Sequence, residues 1–395
     1  MDIALVDYEA TCAAGTGLAA VRSAVAAQKS GLRASNYDET GLNTWLGSVP
    51  EIDDYSWAPA QSHWESRNNA LIYIGLHQGS FLSSVERLKQ QMGTERIGVV
   101  MGSSTSSIDR SEQAYANLGE DDALPDEYHQ SNVLNPHAPG LYLGHLLGCT
   151  GPTLTINTAC SSSAKVFATA KRWLTLGLVD AVVVAGADTL GKSVLYGFHS
   201  LQLISAQPCR PFDKNRDGIN LGEGAGFAIL ARANEVDEHT GIMLSGYGET
   251  SDAHHMSHPH PTGDGARMAI AQALKLAHLQ AKDIGYINLH GTASRANDLI
   301  EGNVVGGLFG ESTFASSTKG WTGHTLGAAG ILEAIFAVEA LNSGIVPGTL
   351  NMQQLDPEIG ISMVAENRYR SLNHVMTNSF GFGGNNACLV FSKHS

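Results

Sequence analysis

An α/β fold, layered α/β/α/β/α around mixed sheets, is the class this sequence predicts. Three observations carry the prediction. Strand-like and helix-like segments alternate along all 395 residues. Unusual polar residues follow strands in both halves of the chain. No Pro-rich, Ser-rich or single-charge tract marks a linker. The length suits two similar halves or one large α/β unit.

Taken in order, the pattern predicts a strand near 3–7, a helix near 18–28, one helix over 68–90 and a strand at 97–101. Residues 119–138, from Gly119-Glu120-Asp121-Asp122 into a Pro/His/Asn-rich stretch, read as a long loop. A helix near 139–147 follows. Residues 153–159 alternate β-branched side chains and read as a short buried strand. Ala164, Val166, Phe167, Ala170, Trp173 and Leu174 then recur at helical spacing until Gly177 ends the run. With the strand 180–187 they make a βαβ unit. A strand over 227–232 leads to the turn-rich 234–241, the expected seam between halves 1–235 and 236–395.

The second half repeats the rhythm. Asp264 can cap a helix to about 281, and a strand at 286–289 and a helix over 297–308 follow. A strand near 313–317 then leads through a loop to a long apolar helix over 325–342. The glycine-rich Phe380-Gly381-Phe382-Gly383-Gly384 is expected to join two short strands. Such symmetry suggests an internal duplication.

Composition narrows the function. Apolar content of 43% with 16% charged residues describes a chain with a large core, and 44 glycines imply many tight turns. A formal charge of −14 disfavours nucleic acid, whose binding rests on phosphate neutralisation. Five scattered cysteines fit free thiols in a reducing cytoplasm. No leader is apparent at Met1-Asp2-Ile3-Ala4, and runs such as 181–187 are too short to span a bilayer. A cytoplasmic protein without membrane insertion is the expectation.

Cys160, in Thr158-Ala159-Cys160-Ser161-Ser162-Ser163, stands at a strand-to-helix corner. A turn there exposes the thiol, and the helix dipole favours thiolate. A buried cysteine is ordinarily an inert small hydrophobe. Three further segments weigh against that bland reading. They are His290-Gly291-Thr292-Ala293-Ser294 after a strand, Lys319-Gly320-Trp321-Thr322-Gly323-His324 followed by Gly327-Ala328-Ala329-Gly330, and the Phe380–Gly384 turn. Singly, each has a plain explanation: a satisfied structural histidine, a surface lysine, a close helix contact, a hairpin turn.

Together, in this order, they resemble the β-ketoacyl-acyl-carrier-protein synthases of the thiolase superfamily, of the bacterial synthase I/II type. The resemblance covers nearly the whole chain. It includes Arg210-Pro211-Phe212-Asp213, Gly222-Glu223-Gly224-Ala225-Gly226 and Thr250-Ser251-Asp252-Ala253. It implies a thiolase-like, duplicated five-layer fold and a decarboxylative Claisen condensation in fatty-acid, type II polyketide or aryl-polyene chain elongation.

By this resemblance Cys160 is the nucleophile that accepts an acyl group from a carrier-protein thioester. His290 and His324 donate hydrogen bonds to the extender's thioester carbonyl while malonyl loses carbon dioxide. The amides of Cys160 and Phe382 make the oxyanion hole, where one donor is worth roughly 3–4 kcal/mol. Lys319 supports the site and pairs with Glu333, and Asp298 and Glu301 brace the segment after His290. Thr292 and Ser294 line the pantetheine channel, and Phe380 and Phe382 gate it. No metal and no cofactor are implied, since the substrates carry the phosphopantetheine. The implied partners are an acyl carrier protein and either a second copy or a chain-length-factor-like homologue.

The chain departs from the family pattern in places. Ser294 replaces a usual Thr, and Asn385 replaces a frequent Thr after the glycine pair. The first strand runs on through Val6 to Cys12 in place of a Gly-rich turn. The basic carrier-docking segments are missing: His63-Trp64-Glu65-Ser66-Arg67 holds one arginine, and Pro125-Asp126-Glu127-Tyr128-His129 is acidic. Arg67, Lys171, Arg172 and Arg210 remain as docking candidates, and electrostatic steering is expected to be weaker. A thiolase would need a second cysteine in the C-terminal turn. Cys388 lies beyond that turn and reads as core. A chain-length factor, the non-catalytic alternative, would lack the nucleophile that Cys160 supplies.

Overall fold

The computed structural model describes every residue except 38–40, 129–130 and 395. Ten strands form one continuous sheet: β1 Ile3–Cys12, β2 Ile97–Gly102, β3 Thr153–Ile156, β4 Ala181–Asp188, β5 Gly224–Arg232, β6 Ile242–Ser251, β7 Tyr286–Asn288, β8 Phe314–Ser316, β9 His374–Gly381 and β10 Asn385–Lys393. In the first half the spatial order is β1-β5-β4-β2-β3, and in the second it is β6-β10-β9-β7-β8. Each half starts with two antiparallel pairings and ends with two parallel ones. The halves therefore share one topology, strand for strand. They join where β1 meets β6 through Ala4 opposite Met243 and Leu5 opposite Ile242.

The helices Ser162–Thr175 and Ala329–Ser343 follow the equivalent strands β3 and β8 and pack against each other in the centre. Gly330 permits the crossing, because a Cβ there would sit 2.5 Å from the Ala164 amide nitrogen. Gly102 does the same under the first helix, where a Cβ would meet Ser163 backbone at 2.5 Å. One core unites both halves, drawing Ile3, Phe167 and Val184 together with Tyr286, Leu332 and Leu389. By length and composition alone, residues 326–343 could cross a membrane, but 83% of that segment is buried inside the protein. Its apolar character is that of a core helix.

Several expected elements differ. The helix over 68–90 is two, Arg67–Leu76 and Phe81–Met92, broken at Gly79 with φ +56°. The strand of 153–159 ends at Ile156 and is the edge of the sheet, half-exposed instead of buried. The 119–138 segment contains the short helices Asp126–Tyr128 and Ser131–Leu134, while His129 lies outside the described residues. The apolar helix begins at Ala329 after one turn of 3₁₀ helix, Leu326–Ala328. The strands flanking the Phe382–Gly384 turn are long, not short.

Candidate active site

The Cys160 corner is built by its own serines. Ala159 takes a left-handed φ of +51°, which turns the chain out of β3. The Ser162 hydroxyl accepts the Thr158 amide at 2.9 Å, and the Ser163 hydroxyl accepts the Ile331 amide at 3.0 Å. Ser161, Ser162 and Ser163 are fully buried, so these hydroxyls satisfy backbone within the turn and at the central helix crossing.

His290 stands just past β7 on a loop that two helix-borne carboxylates hold. Glu301 accepts the amides of His290 and Gly291, each at 2.8 Å. Asp298 accepts the Ala293 amide at 3.2 Å and the Phe212 amide at 2.8 Å. The i, i+3 spacing places both on one helix face, reaching back over the loop. Burial pushes Glu301 up to about 7 and Asp298 up to about 6, against the pull of these amides.

Lys319 lies behind His290, donating to its carbonyl at 2.7 Å and pairing with Glu333. Burial raises Glu333 to about 7, and the Lys319 ammonium opposes the rise. His324 is fixed by backbone on both sides: its amide donates to Asn220 at 2.7 Å, and its carbonyl accepts Gly222 at 3.0 Å. Only glycine fits at 222, since a Cβ would fall 2.0 Å from the Thr322 carbonyl oxygen.

These elements bring the His324 Nε2 to 3.0 Å from the Cys160 Sγ, and the two imidazole rings to 5.5 Å centre to centre, nearly perpendicular. Burial holds both histidines well below their usual range, and the Lys319 charge adds to that. Both are neutral. Burial also pushes the Cys160 thiol up to about 11, more than Lys319 and the Phe382 amide pull it down. The turn does not expose the thiol as expected, and its burial opposes the thiolate that the helix N-terminus and Lys319 favour.

A cavity of about 550 Å³ opens onto Cys160, His290 and His324 and is walled by Thr292, Ser294, Phe380 and Phe382. The Thr292 and Ser294 hydroxyls lie 3.0 Å apart. Gly381 sits over the nucleophile's amide, where a Cβ would approach the Cys160 nitrogen to 3.2 Å. The Phe380–Gly384 segment is tethered to a neighbouring loop, as Gly383 donates to Met256 at 2.7 Å and Asp252 donates to Gly384 at 2.9 Å. Phe198, which the sequence did not single out, lies tilted 5.4 Å from Phe382 and edge-on 6.4 Å from His324 and completes the wall. A lone aromatic in a helix carries no sequence signal for that place.

Asp188 was missed as well. It collects the Ser103, Ser104 and Thr105 hydroxyls, the Ser104 and Thr105 amides, and the Gly327 amide, tying the β2 exit to the turn after His324. Asn385 acquires Lys165 as a donor at 3.3 Å. Cys388 is fully buried core.

Two docking candidates have partners within the chain. Arg67 is committed to Glu223 at 2.8 Å and to Asp53, and Lys171 donates to the Leu244 and Ser245 carbonyls at 3.3 and 3.1 Å. Both charges serve internal contacts. Arg210 is half-buried, and Arg172 is exposed but paired with Glu249 and stacked over Tyr247.

Comparison with known proteins agrees with this geometry. Residues 81–236 match the β-ketoacyl synthase N-terminal domain, and residues 242–353 match its C-terminal domain. The 3-oxoacyl-[acyl-carrier-protein] synthase 2 of Vibrio cholerae is 34% identical over 75% of this chain and 76% of its own. That of Vibrio harveyi is 31% identical over 91% and 90%. Among solved structures, a chain of the ketosynthase ApeO in complex with its chain length factor ApeC from Xenorhabdus doucetiae superposes with a TM-score of 0.89. It is 35% identical and covers 99% of this chain and 98% of that one. A chain of the AntDE:AntF complex, a type II ketosynthase with its acyl carrier protein, shares the fold at a TM-score of 0.87 with 19% identity, covering 99% and 98%. On fold, site geometry and these relatives together, the chain belongs to the β-ketoacyl synthase family of condensing acyltransferases.

Proposed function

We propose that the chain condenses an acyl group held on Cys160 with malonyl carried on an acyl carrier protein. The observation that carries this reading is the contact of the Cys160 thiol with a neutral His324, beside a second neutral histidine and the Phe382 amide. His324 Nε2 takes the thiol proton as sulfur attacks the incoming thioester carbonyl. The new C–S bond forms, and the carrier's pantetheine thiol leaves with the proton. Malonyl then binds, and its C–C bond to the carboxylate breaks, releasing carbon dioxide and leaving the electron pair as the enolate. His290 donates a hydrogen bond to the enolate oxygen, and His324 does the same in its Nε2-protonated neutral tautomer, so neither adds net charge to the site. The enolate carbon attacks the acyl carbonyl, the amides of Cys160 and Phe382 hold the oxyanion, and the C–S bond breaks, the Cys160 thiolate taking a proton from solvent to restore the thiol. No cofactor enters these steps.

The pathway reading is elongation in type II polyketide or aryl-polyene synthesis, with a chain-length-factor-like homologue as partner. Likeness to the ApeO–ApeC complex at 35% identity supports it, and so does the commitment of Arg67 and Lys171 to internal contacts. Five free, buried cysteines fit a reducing cytoplasm. The test is mass spectrometry after incubation with a panel of acyl-carrier thioesters and malonyl-carrier protein. Acyl mass should appear on Cys160 and vanish in Cys160→Ala, whereas acylation at another cysteine would refute the site. Co-purification of a cysteine-less homologue supports the heterodimer, and a stable active homodimer argues against it.

A further inference from the structure

The sulfur of Cys160 and one ring nitrogen each of His290 and His324 lie within 4.8 Å of one another, the one such triad of potential metal donors among the described residues. We propose that these side chains form a binding site for a divalent transition metal of the zinc type, and that the bound ion blocks acylation. The proposal deepens the condensing-site reading and rests on that site's geometry.

Four features of the site favour such an ion. One thiol and two imidazoles are the donor set that borderline-soft ions prefer, and magnesium and calcium do not. With metal–ligand bonds of about 2.0–2.3 Å, tetrahedral donors stand roughly 3.3–3.7 Å apart. Cys160 and His324 already stand 3.0 Å apart, so only modest side-chain adjustment is needed. The Nδ1 atoms of both histidines are buried without a hydrogen-bond partner, so they do not hold the rings in place, and the His324 Nε2 contact with Cys160 is one that an ion between them would replace. The fourth position faces the cavity of about 550 Å³ and can hold water, as in open zinc sites. The Lys319 charge opposes a cation, but Glu333 pairs with it and neither lines the cavity.

On binding, the thiol proton passes to solvent as the sulfur–metal bond forms. The sulfur lone pair is then no longer available to a thioester, and an acylated sulfur is in turn a poor ligand. Metal and acyl group therefore exclude each other.

The rival home for a metal is the exposed loop of His254–His260, where the Nδ1 atoms of His255 and His258 lie 3.2 Å apart. Titration of the metal-free, full-length protein with Co²⁺, without added thiols, separates the two. A thiolate-to-cobalt charge-transfer band should grow to one equivalent and be displaced by Zn²⁺. It should be absent in Cys160→Ala and in wild type alkylated by iodoacetamide, and its apparent affinity should fall at least about tenfold in His324→Ala. It should persist in Cys149→Ser and in the His255→Gln/His258→Gln double variant. A band that survives alkylation of Cys160, or no band at millimolar Co²⁺, overturns the site. The readout needs no turnover. A band without acylation of Cys160 leaves the metal site standing and sinks the condensing function. Acylation without a band does the reverse.

Discussion

Cys160 rests as a thiol, and its proton must move before it can attack. With burial holding it near 11, the thiolate fraction rises about tenfold per pH unit through neutrality. Alkylation of Cys160 by iodoacetamide should therefore quicken roughly a hundredfold from pH 7 to pH 9, followed by peptide mass spectrometry. A plateau below pH 8 would show a preformed thiolate. Lys319 is the second decisive residue, since Glu333 is buried against it. Lys319→Ala should cost about 3–5 kcal/mol in urea unfolding, because it strands a buried carboxylate. Without the ammonium, Glu333 lies still further above its ordinary range and escapes part of the penalty by binding a proton. The loss should thus be larger at pH 8 than at pH 6. Equal losses would show that the pair contributes packing alone.

The elements that carry these residues were unequally legible. Cys160, His290, His324 and the Phe380–Gly384 turn could be found because reactive residues and glycines stand where strands end, and a sequence displays that order directly. The break at Gly79 was hidden because one glycine in the polar stretch His77–Ser80, between the apolar Leu76 and Phe81, does not by itself end a helical pattern. The thiol's protonation and the internal commitment of Arg67 were hidden for another reason: the first comes from burial by segments distant in sequence, and the second from the distant Glu223. At the Phe380–Gly384 turn, the Gly381 contact is testable. Gly381→Ala places a methyl 3.2 Å from the Cys160 and Ser161 amides, crowding the Cys160 amide proposed as an oxyanion donor. Condensation should fall roughly a hundredfold with the fold unchanged by circular dichroism. Loss of the fold, or full activity, would refute that role. At the His290 loop, Glu301 moves from an ordinary 4.5 to about 7 on folding. The folded state then holds this proton more tightly than the unfolded chain. Its contribution is fully present below about pH 4.5 and is lost as pH rises through 7. The melting temperature should accordingly fall between pH 5 and pH 8, and Glu301→Gln should flatten that fall. An unchanged slope would reassign the effect to Asp298 and Glu333.

Across the whole molecule, the repeated strand order places the two central helices back to back, one carrying the Cys160 turn and the other following His324. Catalytic geometry and the largest core thus share one crossing, where Gly330 meets Ala164. The halves should unfold together, with tryptophan fluorescence and far-ultraviolet circular dichroism tracing one transition. Gly330→Ala tests the coupling. Its methyl would lie 2.5 Å from backbone nitrogen of the facing helix, which no side-chain rotation can relieve. The helices must part, at a cost of about 1–3 kcal/mol for overpacking. Because both site turns ride on them, activity should fall about tenfold or more alongside stability. Gly307→Ala is the matched control: it is helical and exposed, with nothing within 4 Å of the added Cβ. It should gain about 0.5–1 kcal/mol from helix propensity and keep full activity. If Gly330→Ala loses stability but keeps wild-type kcat, the crossing holds the halves together without setting the distance between Cys160 and His324.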